Sequence, residues 1–237
     1  MLLSMAAVPA AAHALPRAGG ARRPVLLSAA ASEQDVRRAV RALRAEPAVG
    51  FDCEWVDGHR GVPVSLVQLA ARDAEYLFRV TRGVPALLAE LLADPAVLKV
   101  GFDLRGDTER LARWGVAVGG ALDLRTRFAA GTGLKRLMAC VLGWPVDPEC
   151  KRIACSNWNQ AQLTPRQIDY AARDARACLD VYQALCAAGP RCRAPTLPPV
   201  PTSISGFVSP SAQDAPANPC AVWPGVVAGA ARVAAIS

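Results

Sequence analysis

Apolar residues recur at two different periods along the middle of the chain, and the switches between them mark the elements. Ser32-Glu33-Gln34-Asp35 opens an amphipathic run that predicts a helix to about Leu43. Val49 to Trp55 alternates like a strand entering a core. Val64 to Leu69 and Tyr76 to Val80 read as two more strands, joined through Ala-Arg-Asp. Val84 to Leu92 predicts a helix with leucines on one face, Val97 to Phe102 a strand, 105–114 a helix and Leu122 to Leu124 a short strand. Leu134 to Leu142 is apolar at helical spacing. The sharpest signal comes last. Thr164-Pro165-Arg166-Gln167 is a capping box with proline at the first helical position, and Leu163 and Ile168 can staple across it. That helix should run from Pro165 to about Leu185. Three antiparallel-type strands, followed by helices alternating with strands, predict an α/β fold on a mixed sheet.

Composition changes this picture mainly at the ends. Residues 1–32 contain no Asp or Glu but hold Arg17, Arg22 and Arg23 among Ala and Ser. That is the composition of an organelle transit peptide, and equally of a disordered Ala-rich leader. An intracellular protein is expected, in a mitochondrion or another organelle, with the nucleus as the alternative. Nine prolines fall between Pro190 and Pro224, so 188–237 reads as a disordered tail. The folded domain is therefore expected over 33–187. No apolar stretch is long enough to predict a membrane-spanning helix. Eight cysteines include no C-x-x-C pair, and the two histidines are His13 and His59. Neither a zinc site of usual spacing nor a disulfide framework is expected, and a reducing compartment fits. The chain carries 27 Lys+Arg against 20 Asp+Glu, a net charge of +7 that suits a polyanion without requiring one.

The candidate chemistry is acidic. In Phe51-Asp52-Cys53-Glu54-Trp55, strand parity puts Asp52 and Glu54 on one face and Phe51, Cys53 and Trp55 on the other. Neighbouring carboxylates on an apolar strand repel and are costly to desolvate, and a bound cation relieves both costs. Taken alone, such a pair is more often a hydrated strand end. Tyr170 and Asp174 are four apart and share a helical face, with Ala171, Ala172, Ala175 and Ala177 keeping that helix slim against a sheet. Asp107 opens a helix one turn before Leu111 and can simply complement the helix dipole; Asp103 is its rival.

Taken together, F-D-C-E-W, V-G-F-D-L-R-G-D-T-E-R-L and Y-A-A-R-D-A resemble the three exonuclease motifs of the DEDD superfamily. The tyrosine four residues before the last aspartate is the mark of its tyrosine subclass. P-V-S-L-V-Q-L-A, L-K-V-G, L-D-L-R and C-S-N-W resemble the Werner-type group, in particular exonuclease 3′-5′ domain-containing proteins, over about residues 46–187. The resemblance implies a ribonuclease H-like fold and 3′→5′ hydrolysis of DNA or RNA, single-stranded or 3′-recessed, releasing nucleoside monophosphates. It implies two divalent ions, Mg2+ or Mn2+, held by Asp52, Glu54, Asp107 and Asp174, with Tyr170 orienting the attacking water. Lys135, Arg136, Lys151 and Arg152 are candidate phosphate contacts, each equally readable as part of a solvated face. Trp158 is a candidate loop contact to substrate or a brace for the site, and Trp55 is expected in the core. His59, in the turn Asp57-Gly58-His59-Arg60, is given no catalytic part. The alternatives are a nucleic-acid-binding or scaffold protein on an inactive nuclease fold, and a phosphodiesterase of mononucleotides.

Overall fold

In the computed structural model, which describes residues 23–56, 61–128 and 131–187, the Ser32 hydroxyl accepts the Asp35 backbone N–H and starts helix α1 (Glu33–Arg44). The strands are β1 (Val25–Leu27), β2 (Ala48–Glu54), β3 (Leu66–Ala70), β4 (Glu75–Arg79), β5 (Leu98–Gly101) and β6 (Ala121–Asp123). The remaining helices are α2 (Ala86–Ala93), α3 (Arg105–Leu111), α4 (Leu134–Leu142), α5 (Cys150–Ala154) and α6 (Pro165–Ala187). The strands form one sheet in the order β1-β4-β3-β2-β5-β6. Strands β2, β3 and β4 run antiparallel in sequence; β5 and β6 add in parallel beyond β2, and β1 adds in parallel beyond β4. The expected mixed sheet is present.

Parity sorts the core into two layers. Val49, Phe51, Cys53, Val67, Leu69 and Phe78 pack with residues of α1, α2 and α3 on one face. Ala48, Ala70, Val100 and Leu122 meet α4 and α6 on the other, beside a second patch of Leu66, Leu77, Ala171 and Ala172. The slim face predicted for the last helix has a direct consequence. A Cβ placed on Gly50 would stand 1.9 Å from the Ala175 carbonyl oxygen, so only glycine lets β2 approach α6 this closely. The Thr164 capping box forms as predicted: Thr164 N–H donates to Gln167 Oε1 at 2.9 Å, and Gln167 N–H to Thr164 Oγ1 at 3.2 Å.

Several expectations need correction. The leader assigned to 1–32 includes β1, whose Val25, Leu26 and Leu27 pair with Tyr76, Leu77 and Phe78, so the fold begins before residue 33. Helix α5 has no counterpart among the predicted elements. The helix expected over 105–114 changes after Leu111 into a 3-10 turn over Ala112–Trp114. No disulfide framework is expected, and Cys53, Cys140, Cys150, Cys155 and Cys178 are free, but Cys186 is disulfide-bonded. Residues 1–22, His59 and the Pro-rich tail from 188 lie outside the described residues. Among the described residues, no helix is long and apolar enough to cross a membrane.

Candidate active site

The site gathers where the ends of β2, α3 and α6 meet. Phe51 and Cys53 enter the α1–α3 side of the core, so Asp52 and Glu54 face α6. Trp55 follows the odd-numbered set as expected, packing half-buried against that core with the Arg110 guanidinium 4.0 Å above its ring. Helix α6 brings Tyr170 and Asp174 over the acid face one turn apart, and the Tyr170 hydroxyl donates to the Asp174 carboxylate.

Asp107 arrives from the opposite layer, in the first turn of α3. It is 3% exposed and accepts from both the backbone N–H and the thiol of Cys53. Its other oxygen, Oδ1, is buried without a hydrogen-bond partner. The rival Asp103 is exposed and pairs with Arg125 at 2.5 Å. It holds φ 60°, a left-handed turn that aspartate tolerates, and its N–H donates to Asp123 Oδ1 at 2.8 Å.

Burial sets the electrostatics. It pushes the Asp52 carboxyl well above the usual range, and the Asp107 and Asp174 charges push it further. Glu54 is raised by burial and then by Asp52, Asp174 and Asp107. Asp107 is raised to about 7 by burial, against the pull of the hydrogen bonds it accepts. Asp174 is raised to about 6 by burial, against the Tyr170 hydrogen bond and the charges of Lys135 and Arg173. Burial and the neighbouring acids keep the Tyr170 phenol protonated far above neutral pH. Among the described residues no group of three or more acidic, cysteine or histidine side chains is arranged as it stands to hold a metal ion. The acids share an electrostatic neighbourhood instead, one that an added positive charge would relieve. Hard carboxylate oxygens with one orphaned atom fit Mg2+ or Mn2+, which take oxygen ligands.

Beside Asp174 a cavity of about 290 Å³ opens between α4, α5 and α6, lined in part by Lys135, Met138, Ile153, Arg166, Tyr170 and Asp174. Of the four cations proposed for phosphate contact, Lys135 alone lies on it. Lys151 and Arg152 sit on the exposed side of α5, Arg152 paired with Glu149 at 2.6 Å, and Arg136 is off the cavity wall. Trp158 is fully buried, its Nε1 donating to the Ala154 carbonyl at 2.9 Å and its ring 6.2 Å from that of Tyr170. A buried ring offers no face to a base, so the role as a substrate contact is withdrawn and the role as a brace stands. Gln167 completes the brace, donating to Ser156 Oγ at 2.9 Å and to the Asn157 carbonyl at 3.2 Å.

Comparison with known proteins assigns the domain to a family. The 3′-5′ exonuclease family matches residues 28–188. The chain belongs to the 3′-5′ exonuclease family. Exonuclease 3′-5′ domain-containing protein 2 of Drosophila melanogaster is 42% identical over 147 residues, covering 58% of this chain and 25% of the fly protein. The chain thus spans about a quarter of the length of relatives of this kind. The exonuclease domain of Aedes aegypti Nibbler is similar at TM-score 0.57 and 26% identity, over 68% of this chain and 86% of that one. Trypanosoma brucei RNase D, at TM-score 0.59 and 22% identity over 69% of this chain and 63% of that one, shares the fold.

Within this exonuclease domain, two cavity residues escaped the sequence reading. Arg166 bridges Asp147 at 3.2 Å and Glu149 at 2.5 Å. Arg173 donates to the Pro145 carbonyl and lies 5.5 Å over the Trp144 ring. Both were findable: 166, 170, 173 and 174 follow the helical period that linked Tyr170 to Asp174.

Proposed function

We propose that this chain removes nucleoside monophosphates one at a time from the 3′ end of single-stranded or 3′-recessed DNA or RNA. Asp52, Glu54, Asp107 and Asp174 would hold two divalent cations, Mg2+ or Mn2+. The observation that carries this reading is the convergence of three buried carboxylates, Glu54, Asp107 and Asp174, with the half-buried Asp52, from three distant stretches of chain, each raised by desolvation, with one Asp107 oxygen left unpartnered. When bound, the cations neutralise the acids, lower the pKa of the attacking water and offset charge on the phosphate.

The chain's own groups divide the remaining work. Asp52 lies at the centre, within the field of Asp107 and Asp174, and suits the place shared by both ions. Glu54 and Asp174 would complete one side, and Asp107 would support the other. Tyr170 keeps its proton, which goes to Asp174, so it would orient the water by accepting a hydrogen bond through its oxygen rather than by acting as a base. Lys135 brings positive charge to the cavity beside Asp174, where a polyanion must approach four acids.

The test is digestion of 5′-labelled single-stranded DNA and RNA with Mg2+, with Mn2+ and with EDTA. A ladder shortening by one nucleotide from the 3′ end, lost in EDTA, is expected on at least one polymer. Intact substrate under every condition would reject the reading in favour of a nucleic-acid-binding scaffold.

A further inference from the structure

Gln68 is the least satisfied polar side chain of the sheet. It sits in the middle of β3, fully buried, and neither Oε1 nor Nε2 has a hydrogen-bond partner among the described residues. A buried polar group left unpaired is destabilising, because its desolvation is not offset by a hydrogen bond. A methionine of similar size would fill the same space without that cost.

Its place on the sheet narrows what it can serve. In the antiparallel register of β2 and β3, Gln68 stands directly opposite Asp52. Directly opposed residues project from the same face, with Cβ atoms about 4.5–5.5 Å apart. Leu66 and Ala70, two residues to either side and on the same face, pack under α6 against Ala171 and Ala172 and against Ala175 respectively. Gln68 therefore lies beneath the helix that carries Asp174. Its partner on β4 is Leu77, which is buried and apolar. Asp52 is the polar neighbour that strand pairing supplies.

We propose that Gln68 is a positioning residue: its Nε2–H donates to the Asp52 carboxylate when Asp52 is ionised and cation-bound, fixing which lone pairs face the ions. A carboxylate shared by two cations still has lone pairs free for a donor, and an amide can take one without adding charge. Partners of this kind set ligand orientation, and their loss typically costs 10–100-fold in metal affinity. The proposal rests on the metal-binding reading above. It assigns Gln68 no contact with substrate.

The experiment compares Mn2+ binding by the full wild-type chain and by Gln68→Met, each stripped with EDTA, using the electron paramagnetic resonance signal of free Mn2+. Gln68→Met should melt, metal-free, at or above the wild-type temperature and bind Mn2+ 10–100-fold more weakly. A folded Gln68→Met with wild-type Mn2+ affinity overturns the proposal and leaves the metal reading intact. Absence of Mn2+ binding by wild type overturns both. If Gln68→Met does not fold, the side-chain amide protons of Gln68 in 15N-labelled wild type decide: one should shift on addition of Mg2+, and an unchanged pair overturns the proposal.

Discussion

Under α1 and α2 the sheet meets Leu43, Leu88, Leu91 and Leu92, all fully buried; under α6 it meets Ala171, Ala172, Ala175 and the Asp174 carboxylate. Each side also buries one long polar side chain completely. Lys99 donates its amine to the Leu91 and Asp94 carbonyls at 3.3 and 2.6 Å, capping the end of α2. Gln68, on the α6 side, has no acceptor for its amide among the described residues. The first layer follows the ordinary rules of a core, filling space with leucine and pairing what polar atoms it buries. The second breaks both rules where the acids converge. Departures of that kind concentrate at functional sites, where stability is given up for chemistry. The difference teaches that substitutions in the two layers should have opposite signatures: lost stability with intact chemistry in one, lost chemistry with intact stability in the other.

The largest effect should come from the acids. Asp52→Asn or Asp174→Asn is expected to lower cleavage by at least about a thousandfold, beyond the 10–100-fold of losing a mere support. The metal-free variant should melt no lower than wild type, because a partly desolvated carboxylate repelled by its neighbours has been removed. Oligonucleotide digestion and a thermal melt in EDTA read the two halves. An active Asp52→Asn that melts well below wild type would reverse the assignment of the layers.

The local periods pair the acids, but each pair alone has a structural explanation, and only the three motifs together, through their resemblance to a family, point to a site. Period two placed Asp52 with Glu54, and a helical turn placed Tyr170 with Asp174. What escaped is structure decided by distant contacts. Strand β1 spans three residues, of which Val25 and Leu26 are 42% and 39% exposed, so no alternation marks it inside an Ala-rich leader. Helix α5 is five residues long and buries only Cys150 and Ile153. Lys151 and Arg152 looked like phosphate contacts because they fall between motifs, but those two buried residues turn them away from the cavity. Its loop position makes Trp158 a candidate substrate contact as readily as a brace, and only the fold shows that the loop buries the ring beside Tyr170. The orphaned amide of Gln68 could not be seen at all, since alternation predicts its face but not its missing partner.

Leu91→Ala probes the other layer. Truncating a fully buried leucine should cost about 2–5 kcal/mol, measured by urea denaturation, while activity per folded molecule stays at the wild-type value. A comparable loss of rate per folded molecule would mean the layers are coupled.

The site layer should also reveal itself through pH. Burial raises Asp107 to about 7 and Asp174 to about 6, above their unfolded values. The folded state then holds protons that the unfolded state has released, so metal-free stability is greatest near pH 4 and falls as pH rises toward 7. Asp107 alone should account for on the order of 2 kcal/mol between pH 5 and 8. Saturating Mn2+ should flatten or reverse the slope, because ions compete with protons for the same oxygens. A metal-free melting temperature that rises from pH 5 to 8 would place the acids in a more open setting than their burial implies.

The smallest effect separates cations that the sequence treated alike. Lys135 lies on the cavity wall beside Asp174, whereas Lys151 stands on the exposed side of α5. Lys135→Ala should raise KM several-fold and reduce the salt slope of single-strand binding by about 0.7, the release of one counterion. Lys151→Ala should leave both within error. The salt slope is the sharper measurement, because a side chain that only supports packing can change affinity but does not change how many phosphates are neutralised. Equal slopes for the two variants would mean that the strand does not pass over the cavity, and its path would then have to be sought on the β6 side of the acids.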